Sequence, residues 1–204
     1  MSSPAGAPDK IPSREECDEL MVRYAMLPNI IAHSRQVMRV SLAITDHLQT
    51  AVSVNRDLVL AAALLHDITK TRALQTKEKH DQSGGELLEA LGFMSVGGIV
   101  RQHVALTDFR PDGRLTEHEI VNYADKRVMH DRIVSIPERM KDLIERYGIT
   151  EEIRQLIRKN GDQVLAVEKK IGNCMTVPME AIIGKLMPNA NIQSVLSKTE
   201  HGEK

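Results

Sequence analysis

The chain has 204 residues, of which 42% are apolar, 2% are aromatic and none is Trp, and its formal net charge is −1. That is enough for one globular domain with an interior site, whose core has to come from Leu, Ile, Val, Ala and Met. The near-neutral balance argues against broad electrostatic binding to nucleic acid, and the scarcity of aromatics removes the platform on which single-stranded bases stack.

Residues 1–12 read as a polar, Pro- and Gly-rich lead-in without the apolar stretch of a signal peptide. Ser13 followed by Glu16 is a capping box that starts a helix over about 14–26. Pro28 and Asn29 make a break, and a long helix follows over about 30–50. Asn55 or Ser53 caps the next helix, which carries LVLAAALLHD. Residues 71–79 read as a charged connection, and a helix over about 80–91 stops at Gly92. Gly97 and Gly98 precede a short helix around 99–106, and DFRPDGR at 108–114 is turn chemistry. Thr116 and Glu119 form a second capping box, opening a helix over about 117–131. Pro137 falls in the first turn of a helix that Gly148 stops near Tyr147. Thr150 caps a helix reaching about Ile171, and a last short helix covers about 178–186. The expectation is an all-α fold: one helical domain over 13–187, with extra helices after about residue 135 and a polar tail over 188–204.

The apolar runs fall short of the ~20 residues that span a bilayer. Cys17 and Cys174 stand far apart in no metal-type spacing, as in reduced thiols. A cytoplasmic protein without membrane contact is the default, and a homodimer stays open.

Several polar side chains stand on apolar helical faces. His33 shares a stripe with Val37, Val40 and Ile44; His66 and Asp67 end a run of Ala and Leu; His80 precedes Leu87, Leu88 and Leu91. His103 follows Ile99 and Val100 by one turn, and Asp125 lies between Val121 and Val128. A carboxylate on a buried stripe is costly unless it is paired or bound to a metal. Taken singly, each residue has a plain alternative: a hydrogen-bonded core histidine, an Asp125 paired with Arg101 or Lys126, or a His–Asp pair that simply ends a helix. Six such residues on five segments point instead to a cation at their centre. His47, His118 and His201 read as surface residues, and His130–Asp131 lacks the apolar run that precedes His66–Asp67.

The order His33, His66–Asp67, Asp125 resembles the HD-domain superfamily of metal-dependent phosphohydrolases. AHSRQV at 32–37 is similar to that family's first histidine helix, LLHDITK at 64–70 to its HDIGK-type motif with Thr69 at the usual glycine, and NYADK at 122–126 to its closing motif. His80 and His103 stand where one two-metal branch inserts two further histidines, the pattern of bacterial HD-type hydrolases that cleave diadenosine tetraphosphate. The resemblance covers about residues 29–147. It implies that His33, His66, Asp67 and Asp125 hold one metal, and that Asp67, His80 and His103 hold a second, with Asp67 bridging.

Imidazole and carboxylate ligands favour borderline divalent ions: Fe or Mn foremost, with Co, Ni, Zn or Mg open. The implied reaction is attack of a metal-bridging hydroxide on a phosphoester or phosphoanhydride of a nucleotide or related small phosphate compound. Lys70 lies three residues beyond Asp67 and is placed to offer charge to a phosphate, although a solvated lysine at a helix end fits the same position. Arg101 and Lys126 are expected to point to other faces of their helices. Three alternatives stay open: a mononuclear nucleotidase in which His80 and His103 contact substrate, a non-catalytic nucleotide-binding module, and a helical interaction domain with a structural metal.

Overall fold

Helices begin where short polar side chains meet free backbone amides. The computed structural model describes residues 9–187; the lead-in over 1–8 and the tail over 188–204, with His201, lie outside the described residues. Ser13 and Glu16 close both bonds of the capping box on α1 (Arg14–Arg23). Ala25, at φ 51°, ends that turn, and α2 (Pro28–Thr45) starts on Pro28 itself. The proline expected to break the chain therefore opens the helix, because its missing N–H costs nothing in the first turn. Asn55, rather than Ser53, caps α3 (Arg56–Leu65), accepting from the amides of Asp57 and Leu58 at 3.1 Å each.

The next elements correct three expectations. Residues 71–79 are largely helical, as α4 (Lys70–Thr76), which stops at Lys77 with φ 61°. This helix buries none of its residues, so it has no apolar stripe to betray it. After α5 (His80–Ala90) comes α6 (Met94–Arg101), earlier than expected and containing Gly97 and Gly98. A Cβ on Gly97 would stand 2.8 Å from the Gly85 carbonyl oxygen, so these glycines let α5 and α6 touch backbone to backbone. Finally, α7 (Glu117–Lys126), started by the Thr116–Glu119 box, gives way to a hairpin of β1 (Val128–Met129) and β2 (Arg132–Ile133), turned through His130 at φ 57°.

Ser135 caps α8 (Ile136–Tyr147), with Pro137 in its first turn; Thr150 caps α9 (Glu151–Cys174), and α10 (Met179–Leu186) follows. The fold is all-α apart from the small hairpin. The helix α2 packs on α3 and α7, α5 on α6, α8 on α9, and α10 returns to α2. The ends of α2 and α9 are tied by Gln49 N–H to the Cys174 carbonyl and by Thr176 N–H to the His47 carbonyl, both 2.9 Å. Buried Lys170 on α9 pins the 102–116 connection, donating to Glu119 (2.7 Å) and to the Arg110 carbonyl (2.9 Å). No helix among the described residues is long and apolar enough to cross a membrane.

Cys17 is fully buried in the core, and burial, with help from Asp18, Glu16 and Glu15, pushes its thiol from 9.0 up to about 12. The folded state therefore favours the neutral thiol, a preference that is lost as stability when pH rises above 9.0 toward 12. At pH 8 a thiol-titrating reagent should modify half-buried Cys174 and leave Cys17 untouched until the chain is denatured. Equal rates for the two thiols in the native protein would contradict this packing.

Candidate metal centre

Three helices and two turns bring the singled-out residues together. His33 comes from α2, His66 and Asp67 from the turn ending α3, His80 from the first residue of α5, His103 from the turn after α6, and Asp125 from α7. His33, His66 and Asp125 each offer a ligand atom within 4.8 Å of the others, and so do His66, Asp67 and His103. His80 stands outside both triads, but its Nε2 lies 3.3 Å from Asp67 Oδ1 and 3.2 Å from His103 Nε2. All are buried except His80, which is half-buried.

Backbone carbonyls fix which imidazole nitrogen faces the centre. The Nδ1 of His33 is 2.7 Å from the His130 carbonyl, that of His66 is 2.8 Å from Ala63, and that of His103 is 2.7 Å from Val100. A carbonyl only accepts, so each Nδ1 carries a proton and each ring turns its Nε2 inward, where a lone pair meets a cation once that nitrogen carries no proton. The left-handed turn at His130 is what presents its carbonyl to His33, a role for the backbone and not for the exposed imidazole.

These Nε2 atoms meet carboxylates. His33 Nε2 lies 3.0 Å from Asp125 Oδ1, and His66 Nε2 lies 3.4 Å from Asp67 Oδ2 and 3.7 Å from Asp125 Oδ1. Asp67 Oδ1 faces the other way, 3.5 Å from His103. His66 Nε2 and Asp67 Oδ1 are buried without any hydrogen-bond partner. Buried ligand atoms left without a partner among further His and Asp side chains are what a divalent cation satisfies, so the residues present fit one.

Electrostatics keep the set in ligating form. Burial opposes ionisation of Asp67, but the Lys70 ammonium and His66 hold its carboxyl well below the usual range. Burial also opposes ionisation of Asp125, which Lys126 and His33 hold well below that range. Burial pushes His103 down to about 4, so its ring is neutral at physiological pH. For His66, burial pulls downward and the Asp67 and Asp125 carboxylates outweigh it, raising its affinity for a proton and equally for a cation.

Lys70 Nζ is 2.8 Å from Asp67 Oδ2, so its charge is already shared with a candidate ligand; two donor positions remain. Lys126 overturns the expectation that it points elsewhere: its ammonium is buried, 2.7 Å from Asp125 Oδ2 and 2.9 Å from the His103 carbonyl. Its long stem wraps from the adjacent helical position back to the centre. Arg101 does point away, pairing with Glu89 at 2.6 Å. His47 and His118 are half-buried rather than on the surface, the former with Nδ1 2.9 Å from the Ala43 carbonyl.

Two residues inside the quoted motifs have roles that their spacing does not reveal. Asn122 Nδ2 donates to the Gln102 and His103 carbonyls at 3.3 and 3.0 Å, holding the His103 turn. Thr69 donates to the His80 carbonyl at 2.9 Å and accepts from Ser83 at 3.0 Å. The hydroxyl at the usual glycine position thus fastens the start of α5. Thr69→Val should cost about 1 kcal/mol of stability and roughly tenfold in affinity for a metal beside His80. Thermal melting and metal titration would check this; an unchanged titration would show that the hydroxyl does not position His80.

Comparisons with known proteins bear on this arrangement. Residues 30–130 match the HD domain family. The chain belongs to the HD-domain superfamily. No solved structure matches it. A curated relative, the tRNA (cytidine(56)-2'-O)-methyltransferase of Picrophilus torridus, is 27% identical over 152 residues, covering 67% of this chain and 41% of that protein. The chain thus spans under half the length of that relative, whose name describes its own activity.

The HD domain ends before α8, yet α8 borders the centre. A cavity of ≈ 510 Å³ opens on His80, His103 and Asp125 and is lined by Lys70, Lys126, Arg139 and Arg146 and by the apolar Leu143, Tyr147, Ile153 and Ile157. A smaller opening of ≈ 90 Å³ reaches His33 and Asp67 past Asn29, Lys70, Arg139 and Arg146. Arg139 and Arg146 were invisible as site residues because basic positions on an amphipathic helix read as a solvated face.

Proposed function

We propose that this chain is a metal-dependent phosphohydrolase acting on a nucleotide or a related small phosphate compound. The observation that carries the reading is the buried His/Asp cluster of an HD domain, with His66 Nε2 and Asp67 Oδ1 left without partners, beside a cavity walled by cations. His33, His66, Asp67 and Asp125 would hold one divalent ion, and Asp67, His80 and His103 a second. Asp67 suits the shared position because its two oxygens face different histidines. Bound there, such ions lower the pKa of water into the neutral range and offset charge on phosphoryl oxygens.

The chain's own residues do the remainder. The carbonyls of Ala63, Val100 and His130 keep the imidazoles in the ligating tautomer. Lys70 offers its remaining donors to a phosphoryl oxygen at the mouth of the site. Lys126 holds the Asp125 carboxylate ionised. No Ser or Cys nucleophile is required.

The test is phosphate release from a panel of nucleotides and dinucleoside polyphosphates with Mn²⁺, Fe²⁺ or Co²⁺ supplied. Turnover of at least one substrate, dependent on metal, is expected; failure across the panel with every metal would overturn the reading. The half-exposure of His80, outside both ligand triads, favours a second version in which one ion is bound and His80 meets substrate. His80→Ala separates the two: the two-metal version loses one ion per chain, and the mononuclear version loses none.

A further inference from the structure

The face that α8 turns toward the centre carries more than a roof. Arg139, Leu143 and Arg146 recur at helical spacing and all line the larger cavity, while both arginines also line the opening onto Asp67. Arg139 is only 7% exposed. One of its terminal nitrogens is 2.6 Å from Asp142 Oδ2, but its Nε is buried without a partner. This donor lacks an acceptor, and the guanidinium that carries it cannot shed its charge. Arg146 shares the same Asp142 oxygen at 3.5 Å, which leaves one carboxylate serving two guanidiniums and a surplus positive charge facing the cavity. Lys70, by contrast, is committed in part to Asp67.

We infer that Arg139 and Arg146 clamp a second phosphoryl group, so that the site takes an organic phosphoanhydride in preference to a lone phosphomonoester. The inference rests on the proposed function for the place of the first phosphoryl group, at the His/Asp cluster beside Lys70. A chain of two or more phosphates then runs from the cluster to the α8 guanidiniums, whose planar forks match phosphate oxygens in pairs. Its organic end meets the wall of Leu143, Tyr147, Ile153 and Ile157, where the Arg146 guanidinium lies 5.2 Å from the Tyr147 ring centre. An apolar wall beside a cationic one suits a ligand that is itself half apolar and half phosphate.

The experiment is calorimetric titration of the whole chain, with Mn²⁺ present, using orthophosphate and the non-hydrolysable imidodiphosphate as probes. The unmodified protein should bind imidodiphosphate at least tenfold more tightly than orthophosphate. Arg139→Lys and Arg146→Gln should each cut that preference to threefold or less, with orthophosphate affinity held within twofold. Arg146 is partly exposed, so Arg146→Gln decides the matter if the buried Arg139 variant fails to fold. Equal binding of the two probes by the unmodified protein, or a preference that survives in Arg146→Gln, would overturn the clamp. The titration needs no turnover. A preference lost in the variants supports the clamp even if no substrate is hydrolysed, and turnover without any preference removes the clamp and leaves the hydrolase reading in place.

Discussion

Asp67→Asn should abolish metal-dependent hydrolysis while leaving the metal-free protein folded and close to its original stability. The substitution preserves volume and replaces one oxygen of the buried carboxylate by an amide donor. In the metal-free chain it gives up the charged hydrogen bond from Lys70, exposed on the lysine side only and worth about 1.5–3 kcal/mol. In return its amide supplies a donor beside Asp67 Oδ1 and His66 Nε2, which are buried without a partner and carry a penalty of similar size. These terms roughly cancel. The metal term does not cancel. A ligand at a thousand times its dissociation constant stabilises by about 4 kcal/mol, which for a chain of this size is a rise of about 8–16 °C in Tm. Unmodified protein should show a rise of that order on adding Mn²⁺ or Fe²⁺, and Asp67→Asn should show almost none. Loss of a cation that stabilises phosphoryl charge costs several kcal/mol of barrier, roughly 10³-fold or more in rate. The contrary pattern, a variant that melts much earlier without metal and keeps its metal response, would mean that Asp67 is a structural hydrogen-bond partner.

Gly97→Ala, although outside the cluster, is expected to lower stability and metal affinity together. Its new methyl group would stand 2.8 Å from the Gly85 carbonyl oxygen, 2.8 Å from Glu89 Cγ and 3.3 Å from the Glu89 amide nitrogen. Two of these neighbours are backbone, so α5 and α6 must separate, at about 1–3 kcal/mol or about 2–12 °C in Tm. The separation reaches the centre, because His80 begins α5 and His103 follows α6, with their Nε2 atoms 3.2 Å apart. Metal affinity on that side should fall along with stability. Gly98→Ala is the internal control. Its methyl would meet only His118 Nε2, at 4.0 Å, and alanine raises helix propensity by up to about 1 kcal/mol. Melting curves and metal titrations of the two neighbours should therefore diverge, one lowered and one unchanged or raised. Equal behaviour would mean that the close approach of the helices does not shape the site.

These two glycines also show where sequence alone stops. Within one segment they read as a boundary, since glycine is a poor helix former. For Gly97 the actual reason is a neighbour more than ten residues away, Gly85, which no local pattern displays. The helix starts at Ser13, Asn55, Thr116 and Thr150 were legible because capping is settled within four residues. The burial of His33 and Asp125 was legible because Val37, Val40, Ile44 and Val121 share their helical faces and are fully buried. Burial of those faces is a helical-period argument, and it stops short of saying which donors meet. Lys126 was misread because a long flexible side chain need not follow its Cβ direction. The helix α4 was missed because it buries nothing, and the 128–133 hairpin because two-residue strands carry no alternation. The α8 arginines stayed hidden for a further reason: the family resemblance ends its motifs at Asp125, and the charge of Arg139 matters only once Lys70 is brought beside it.

The most direct test of the metal centre is anomalous diffraction from crystals of the protein loaded with Mn²⁺. Two peaks are expected, one within coordination reach of His33, His66 and Asp125 and the other within reach of His80 and His103, with Asp67 reaching both. Full loading with no anomalous peak beside His66 and Asp67 would contradict the proposed centre.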